Sequence, residues 1–296
     1  MQQKVSLERK LLLKLALCEG IGLVGKQRIL QVSQELGTTE FTVHELCQIS
    51  QLTKTKVQFQ KNWLKLTDDW VEEQAHKQKF ITLLDEAYPS QLKQIAYPPQ
   101  VLFYEGQLAL LNHTRLIGFV GAREATPYAK AVIHELLPPL VDANVVIVSG
   151  LAKGVDQWSH RATIVSGGHT IGVIGTGLDC CYPRESFPTF SEMKHHHLVI
   201  TEYPLGTPPR RHHFPMRNRI IAGLSDGVVV IEAKEKSGAL ITAQLAMEFG
   251  KDVFAVPGDI LSRQSQGCHQ LIMDGASCTT DSKMVLDEVH FFRGNE

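Results

Sequence analysis

VVIVSGLAKG, residues 145–154, is a short apolar run that ends in a glycine-rich turn. Val145–Val148 has no polar face, which fits a parallel strand covered by helices on both sides. Similar runs recur at Ile117–Val120, Thr170–Ile174, Leu198–Thr201, Val228–Ile231 and Val253–Val256. Amphipathic stretches separate several of them, such as Pro127–Leu140 and Thr242–Phe249. The alternation predicts a βαβ series, hence an open, mostly parallel α/β sheet with helices on both faces.

Ligands on such sheets bind beyond the carboxyl ends of the strands. The glycines fall there in sequence. Gly121-Ala122-Arg123 follows the first run, and Ser149-Gly150-Leu151-Ala152-Lys153-Gly154 follows the second. Gly175-Thr176-Gly177, Ser237-Gly238 and Pro257-Gly258 follow later ones. Glycine lets backbone approach a phosphate, and a helix start adds free N–H donors. Turns carrying Arg123 and Lys153 on one sheet edge therefore point to phosphate binding. The alternative is that glycine merely closes βα turns.

The most basic stretch is EYPLGTPPRRHHFPMRNRIIAG, residues 202–223. Arg210, Arg211, Arg217 and Arg219 fall within it, with His212, His213 and Phe214 between them, and no acidic residue lies between Tyr203 and Leu224. Guanidinium groups match phosphate oxygens and an aromatic face stacks bases, so this is the pattern of a nucleic-acid or polyphosphate site. Pro204, Pro208 and Pro209 predict a stiff, extended loop. On that loop Phe214 is read as a base-stacking face, with inward anchoring as the alternative. Arg217 and Arg219 either join Arg123, Lys153 and Arg211 in one phosphate pocket or brace the loop through buried ion pairs. A solvated basic loop is the bland reading.

The chain has 296 residues, 43% hydrophobic, with a formal net charge of −1. That excludes a uniformly basic coat, so any nucleic-acid face must be local. Six cysteines, Cys18, Cys47, Cys180, Cys181, Cys268 and Cys278, form no CxxC pair and no zinc spacing, which reads as reduced cytosolic thiols. No signal peptide or membrane-length apolar run is visible. A dinucleotide GxGxxG fingerprint with its downstream acid, and a GxxxxGK[ST] loop, are both missing. His195-His196-His197 reads as a basic patch, since neighbouring residues on a strand or turn point apart. Asp156 and His160 have the spacing of a structural hydrogen-bonded pair more than of an acid/base couple. Cys180-Cys181 reads as buried filler. No metal, cofactor or catalytic residue is expected.

Residues 1–75 read as helical. Leu7, Leu11, Leu12 and Leu15 recur at helical spacing. Gly20-Ile21-Gly22-Leu23-Val24-Gly25-Lys26 feeds a helix over Gln27–Leu36 and is similar to a helix-hairpin-helix turn, although a plain connector fits as well. Further helices are expected at 42–49 and 53–63, and a charged linker at 68–79. Strands at Phe80–Leu84 and Val101–Tyr104 open a second domain over 80–290.

SGLAKGVDQWSH (149–160), GVIGTGLDCCYP (172–183), TEYPLGTPPRRHHFPMRNRIIAGLSD (201–226), EAKEKSGALITAQLAMEFGKDVFAVPG (232–258) and QLIMDGA (270–276) closely resemble the DNA-processing protein A family, DprA or Smf. The likeness covers roughly residues 80–280. It implies an extended Rossmann-like core, a small SAM-like helical domain at 1–75, and sequence-independent binding of single-stranded DNA. It also implies a cytoplasmic homodimer that protects incoming DNA and loads RecA in natural transformation. The DNA-contact set so expected is Gly121, Arg123, Ser149, Gly150, Lys153, Gly175, Gly177, Arg211, Phe214, Arg217, Asn218, Arg219, Ser237 and Gly238. Dimer and RecA surfaces are expected on core helices, near Leu271-Ile272-Met273 and Val285-Leu286. Three departures stand out: Ala122 where the family often has Ser, Cys268-His269 where it often has Asn, and an end at Glu296 without the winged-helix-like module of many members. The competing class is a nucleotide-processing phosphoribohydrolase, which carries PGGxGTxxE. Here the comparable region reads Glu232-Ala233 and Ser237-Gly238-Ala239, without that motif. A pure interaction scaffold leaves the arginines and glycine turns unexplained.

Overall fold

The structure is a computed structural model that describes residues 6–292. Residues 1–5 of the expected helical domain lie outside the described part.

Five helices come first: α1 (Leu7–Leu17), α2 (Leu23–Leu36), α3 (Val43–Ile49), α4 (Lys56–Lys65) and α5 (Asp68–Lys77). Local chemistry sets their starts. Thr42 and Glu45 form a reciprocal capping box at α3. Thr67 caps α5 from its side chain, with Asp68 and Asp69 in the first turn where the helix dipole favours them. The charged linker expected at 68–79 is therefore wrong: most of it is α5, which buries Val71. Leu11, Leu15, Ile29, Leu46, Phe59 and Trp63 form a core of their own among the helices. The other side of α1, Leu12 and Leu13, packs with Val71 against Phe80 and Phe103 of the sheet.

The sheet strands and their helices follow: β1 (Phe80–Thr82), the short α6 (Ser90–Lys93), β2 (Val101–Gly106), β3 (Leu116–Val120), α7 (Pro127–Asp142), β4 (Val146–Ser149), α8 (Val155–Val165), β5 (Thr170–Val173), α9 (Phe187–His196), β6 (Leu198–Thr201), α10 (His213–Leu224), β7 (Gly227–Val230), α11 (Gly238–Glu248), β8 (Asp252–Ala255), α12 (Gln266–Met273), β9 (Ser277–Cys278) and α13 (Ser282–Glu288). Among the described residues the nine strands form one sheet, ordered β1-β2-β6-β5-β4-β3-β7-β8-β9. The six runs read from sequence are all strands. They and β9 pair in parallel. β1 and β2 add an antiparallel edge. The α/β, Rossmann-like expectation holds.

Alternate residues of each strand serve opposite faces, as the period of two demands. Val146, Val148, Val228 and Val230 pack with Ile220, Ile221 and Leu224 of α10 on one face. Ile117, Phe119, Ile147 and Val229 pack with Ile133 and Leu137 of α7 and Val155 of α8 on the other. α10 was expected to be extended loop. Pro215 lies in its first turn, where a missing N–H breaks no helical bond. The histidine triplet also differs from expectation, since His195 and His196 end α9 and His197 is buried.

Asp226, between α10 and β7, is a staple. Its carboxylate accepts from the backbone N–H of Leu116 at 2.8 Å and of Phe292 at 3.0 Å. It is 3% exposed. Asp226→Ala leaves both amides without that acceptor, and a lost partner for a buried donor costs about 1–3 kcal/mol each. A stability loss of about 2–6 kcal/mol, read as a lower urea midpoint, is expected. An unchanged midpoint would refute the staple.

Candidate nucleic-acid interface

The strand order reverses at β3. From β3 the chain crosses by α7 toward β4, β5 and β6, then returns by α10 to β7 on the other side of β3. Helices leaving adjacent strand ends in opposite directions leave a crevice there. A cleft of about 680 Å³ opens at that point.

Eight of the expected residues line it: Gly121, Arg123, Arg211, Phe214, Arg217, Asn218, Ser237 and Gly238. Arg123 and Arg211 are exposed and make no ion pair among the described residues. Phe214, half-buried on α10, has Arg123 over its ring at 5.5 Å and the Tyr182 ring 5.6 Å away. The cleft thus carries an aromatic pair beside a guanidinium. Tyr182 was missed in sequence because its neighbours Cys180-Cys181 looked like filler; both are half-buried here. Lys234 also lines the cleft, 3.6 Å from the exposed Glu124 carboxylate.

Arg217 is 5% exposed and its Nη1 lies 3.8 Å from Asp156 on α8. Burial pushes the Asp156 pKa up, and Arg217 and the backbone amides of Ala152 and Gly150 pull it back. The Asp156–His160 pairing read from spacing does not form. His160 instead bonds Thr170 through Nδ1 at 2.6 Å, and burial pushes its pKa down to about 3.

The remaining expected residues do not line the cleft. Arg219 is buried and paired with Glu202. Ser149 is fully buried and donates to the Phe119 carbonyl. Lys153 is exposed elsewhere. Gly150, Gly175 and Gly177 are bare for internal reasons. A Cβ on Gly150 would stand 1.5 Å from Arg217 Nη1, and one on Gly177 would stand 2.6 Å from the Pro204 carbonyl oxygen. Gly175 accepts a bond from His213 Nδ1 at 2.9 Å. Open backbone occurs instead at Gly238, with no heavy atom within 4 Å of its ideal Cβ. Gly238 begins α11, whose cap residue Ser237 makes no side-chain cap bond, so free N–H groups face the cleft as an anion site requires. Asn218 holds this start by donating to the Gly238 carbonyl at 3.2 Å.

This fold and cleft define a Rossmann-like protein with an arginine- and aromatic-lined crevice at its switch point. The model of the DNA recombination-mediator protein A family matches residues 79–290, and the chain belongs to that family. It is 46% identical over 209 residues to DNA processing protein DprA of Bacillus subtilis, covering 71% of this chain and 70% of that one. It is 41% identical over 267 residues to DprA of Streptococcus pneumoniae, covering 90% and 94%. The crystal structure of DprA from Streptococcus pneumoniae superposes with a TM-score of 0.87 at 37% identity, covering 98% of this chain and 100% of that one. A structure of DprA from Helicobacter pylori, described for its single-stranded DNA binding mode, gives 0.65 at 28% identity, covering 72% and 98%.

Removing one partner of a buried pair strands a charge and costs about 3–5 kcal/mol. Arg217→Ala is therefore expected to lower stability by about that much. Arg211→Ala, at an exposed position, stays within about 0.5 kcal/mol of the parent. Chemical denaturation of both variants checks the contrast.

Proposed function

We propose that the switch-point cleft binds single-stranded DNA without regard to sequence. The observation that carries this reading is the pairing of two unneutralised guanidinium groups, Arg123 and Arg211, with the half-exposed Phe214 and Tyr182 rings. Guanidinium groups and the α11 N-terminus take phosphates, which carry no base information. The rings take base faces, and every base has one. Duplex DNA keeps its bases stacked on each other, so the rings favour single strands. The Streptococcus and Bacillus relatives named as DNA processing proteins support the same reading. A binding role also suits Glu232, the acidic side chain in the region compared with phosphoribohydrolases. Its carboxylate accepts from both the N–H and the hydroxyl of Thr126, which caps α7.

We infer further that residues up to 75 form a SAM-like helical unit, and 80–290 the DNA-binding unit. As in the family resemblance, the DNA-bound protein is a cytoplasmic homodimer that hands single strands to RecA in natural transformation. Light scattering that shows only monomer at micromolar concentration would count against the dimer. RecA filament assembly on protein-coated strands, unaltered by this protein, would count against the hand-over.

If about four phosphates are neutralised, log K falls against log salt with a slope near −3, from about −0.7 per contact on single strands. Anisotropy of a labelled oligothymidylate measures this. Arg123→Ala and Arg211→Ala each weaken all sequences alike. Affinity that ignores salt sinks the proposal.

Phe214→Ala separates stacking from anchoring. Loss of a stacked base costs about 1–3 kcal/mol, so single-strand affinity is expected to fall roughly five- to hundredfold. The melting temperature should barely move. A variant that melts several degrees lower and binds normally would make Phe214 an anchor.

A further inference from the structure

A second groove, of about 1000 Å³, runs between the helical region and the sheet. That is at the upper end of the volumes, about 300–1,000 Å³, that hold small molecules. One wall is the α1–α2 turn at Gly20-Ile21-Gly22 and the first turn of α2, and the other is the segment that leads from β6 into α10. The start of α10 is the ridge between the two sites. Arg211, Phe214 and Pro215 line the first cleft, and Arg210, His212 and Met216 line the groove.

Three independent features of the groove point to a ligand. The Lys26 side chain lines it, and its ammonium has no hydrogen bond or ion pair among the described residues. Burial pushes its pKa down; Glu202 pushes it back up, but that carboxylate is held by Arg219, whose charge opposes Lys26. A cation with no ion-pair partner of its own, whose neighbouring carboxylates Glu202 and Glu19 are taken by Arg219 and Arg210, can accept an anion. Second, the 14-residue α2 starts at Gly22 with no side-chain cap and no acidic residue in its first turn, so its free N–H groups add to the same charge. Third, Gln100 borders the groove with both carboxamide atoms shut from solvent and unpartnered, so turning it to a polar ligand breaks no existing bond. Trp70 and Tyr97 offer the groove partly exposed aromatic faces, 37% and 44% accessible.

We propose that this groove binds a nucleoside phosphate, with the phosphate at Lys26 and the α2 N-terminus and the base on the aromatic face of Trp70 or Tyr97. A simple carboxylate would satisfy Lys26 but leave the rings and Gln100 unused. The site stands on its own lining and does not depend on the first cleft. Its nucleotide comes either free from solution or from a strand that passes over the α10 ridge.

The test titrates the full chain with thymidine 5′-monophosphate, read by tryptophan fluorescence, and with short and long labelled oligothymidylates, read by anisotropy. Saturable mononucleotide binding is expected. Lys26→Gln, folded by thermal melt, should weaken it about tenfold, the scale of one hydrogen bond to a charged group. Arg123→Ala, which reports on the first cleft alone, should leave the Lys26-dependent part of that binding unchanged. If a strand is the source, Lys26→Gln also weakens the long oligonucleotide. If a free nucleotide is the source, only mononucleotide binding falls. Mononucleotide that does not saturate at millimolar concentration, with long-strand affinity identical in both chains, overturns the proposal. Should Lys26→Gln unfold, photocrosslinking of 5-iodo-deoxyuridine monophosphate to the unaltered protein decides. Crosslinks in residues 16–30, 70–74 or 97–101, or at His212 or Met216, support the site, and crosslinks confined to Tyr182, Arg211, Phe214 and Pro215 refute it.

Discussion

The buried pair between Arg217 and Asp156 joins the two faces of the sheet. Arg217 rides on α10, whose apolar side packs with one face of the strands. Asp156 begins α8, which packs with the other. Their contact passes over the strand ends, where Gly150 leaves room for the guanidinium because it has no Cβ. Such a pair contributes little net stability, since each charge loses its water. Its geometry still fixes where α10 begins relative to α8, and so where Phe214 stands relative to Arg123. It also neutralises Asp156, which would otherwise leave an unpaired carboxylate on the cleft lining.

The sheet was legible because its strands are buried on both faces. A run such as Val146–Ser149 must then be apolar throughout, and no polar alternation obscures it. The two-residue β9 carries no such run and was invisible. α5 was hidden for a different reason: it buries only Val71, so four carboxylates on a thin apolar stripe read as linker. Only Thr67 with Asp68 and Asp69 marked its start. α10 hid behind Pro215 and its basic flanks, although Arg217, Ile220, Ile221 and Leu224 have helical spacing.

The cleft was half legible. Its position followed from the topology, and Arg123, Arg211 and Phe214 from residue type. What failed was the reading of the glycines. Sequence shows that a Cβ is missing but not what fills the space. At Gly121 it is Val155, and at Gly150 it is Arg217. Those glycines let helices and side chains of the protein itself close on the sheet. Gly238 alone among the cleft glycines keeps that space open.

The four arginines of residues 210–219 show why charge density along a chain is a poor guide to the field it makes. Arg217 and Arg219 meet Asp156 and Glu202, acids supplied from elsewhere in the sequence. Arg210 reaches Glu19 in the α1–α2 turn at 3.5 Å. Only Arg211 brings an uncompensated charge to the cleft, where it joins Arg123 from the far end of β3. A strongly basic ten-residue stretch thus contributes one free cation, and the local field is completed by a residue almost ninety positions earlier. Since interactions between exposed charges fade over about 8–10 Å at physiological salt, two such residues set a local potential whatever the net charge of the chain. A formal charge of −1 is therefore compatible with a polyanion site, because the cleft reads only the charges its own walls leave unpaired.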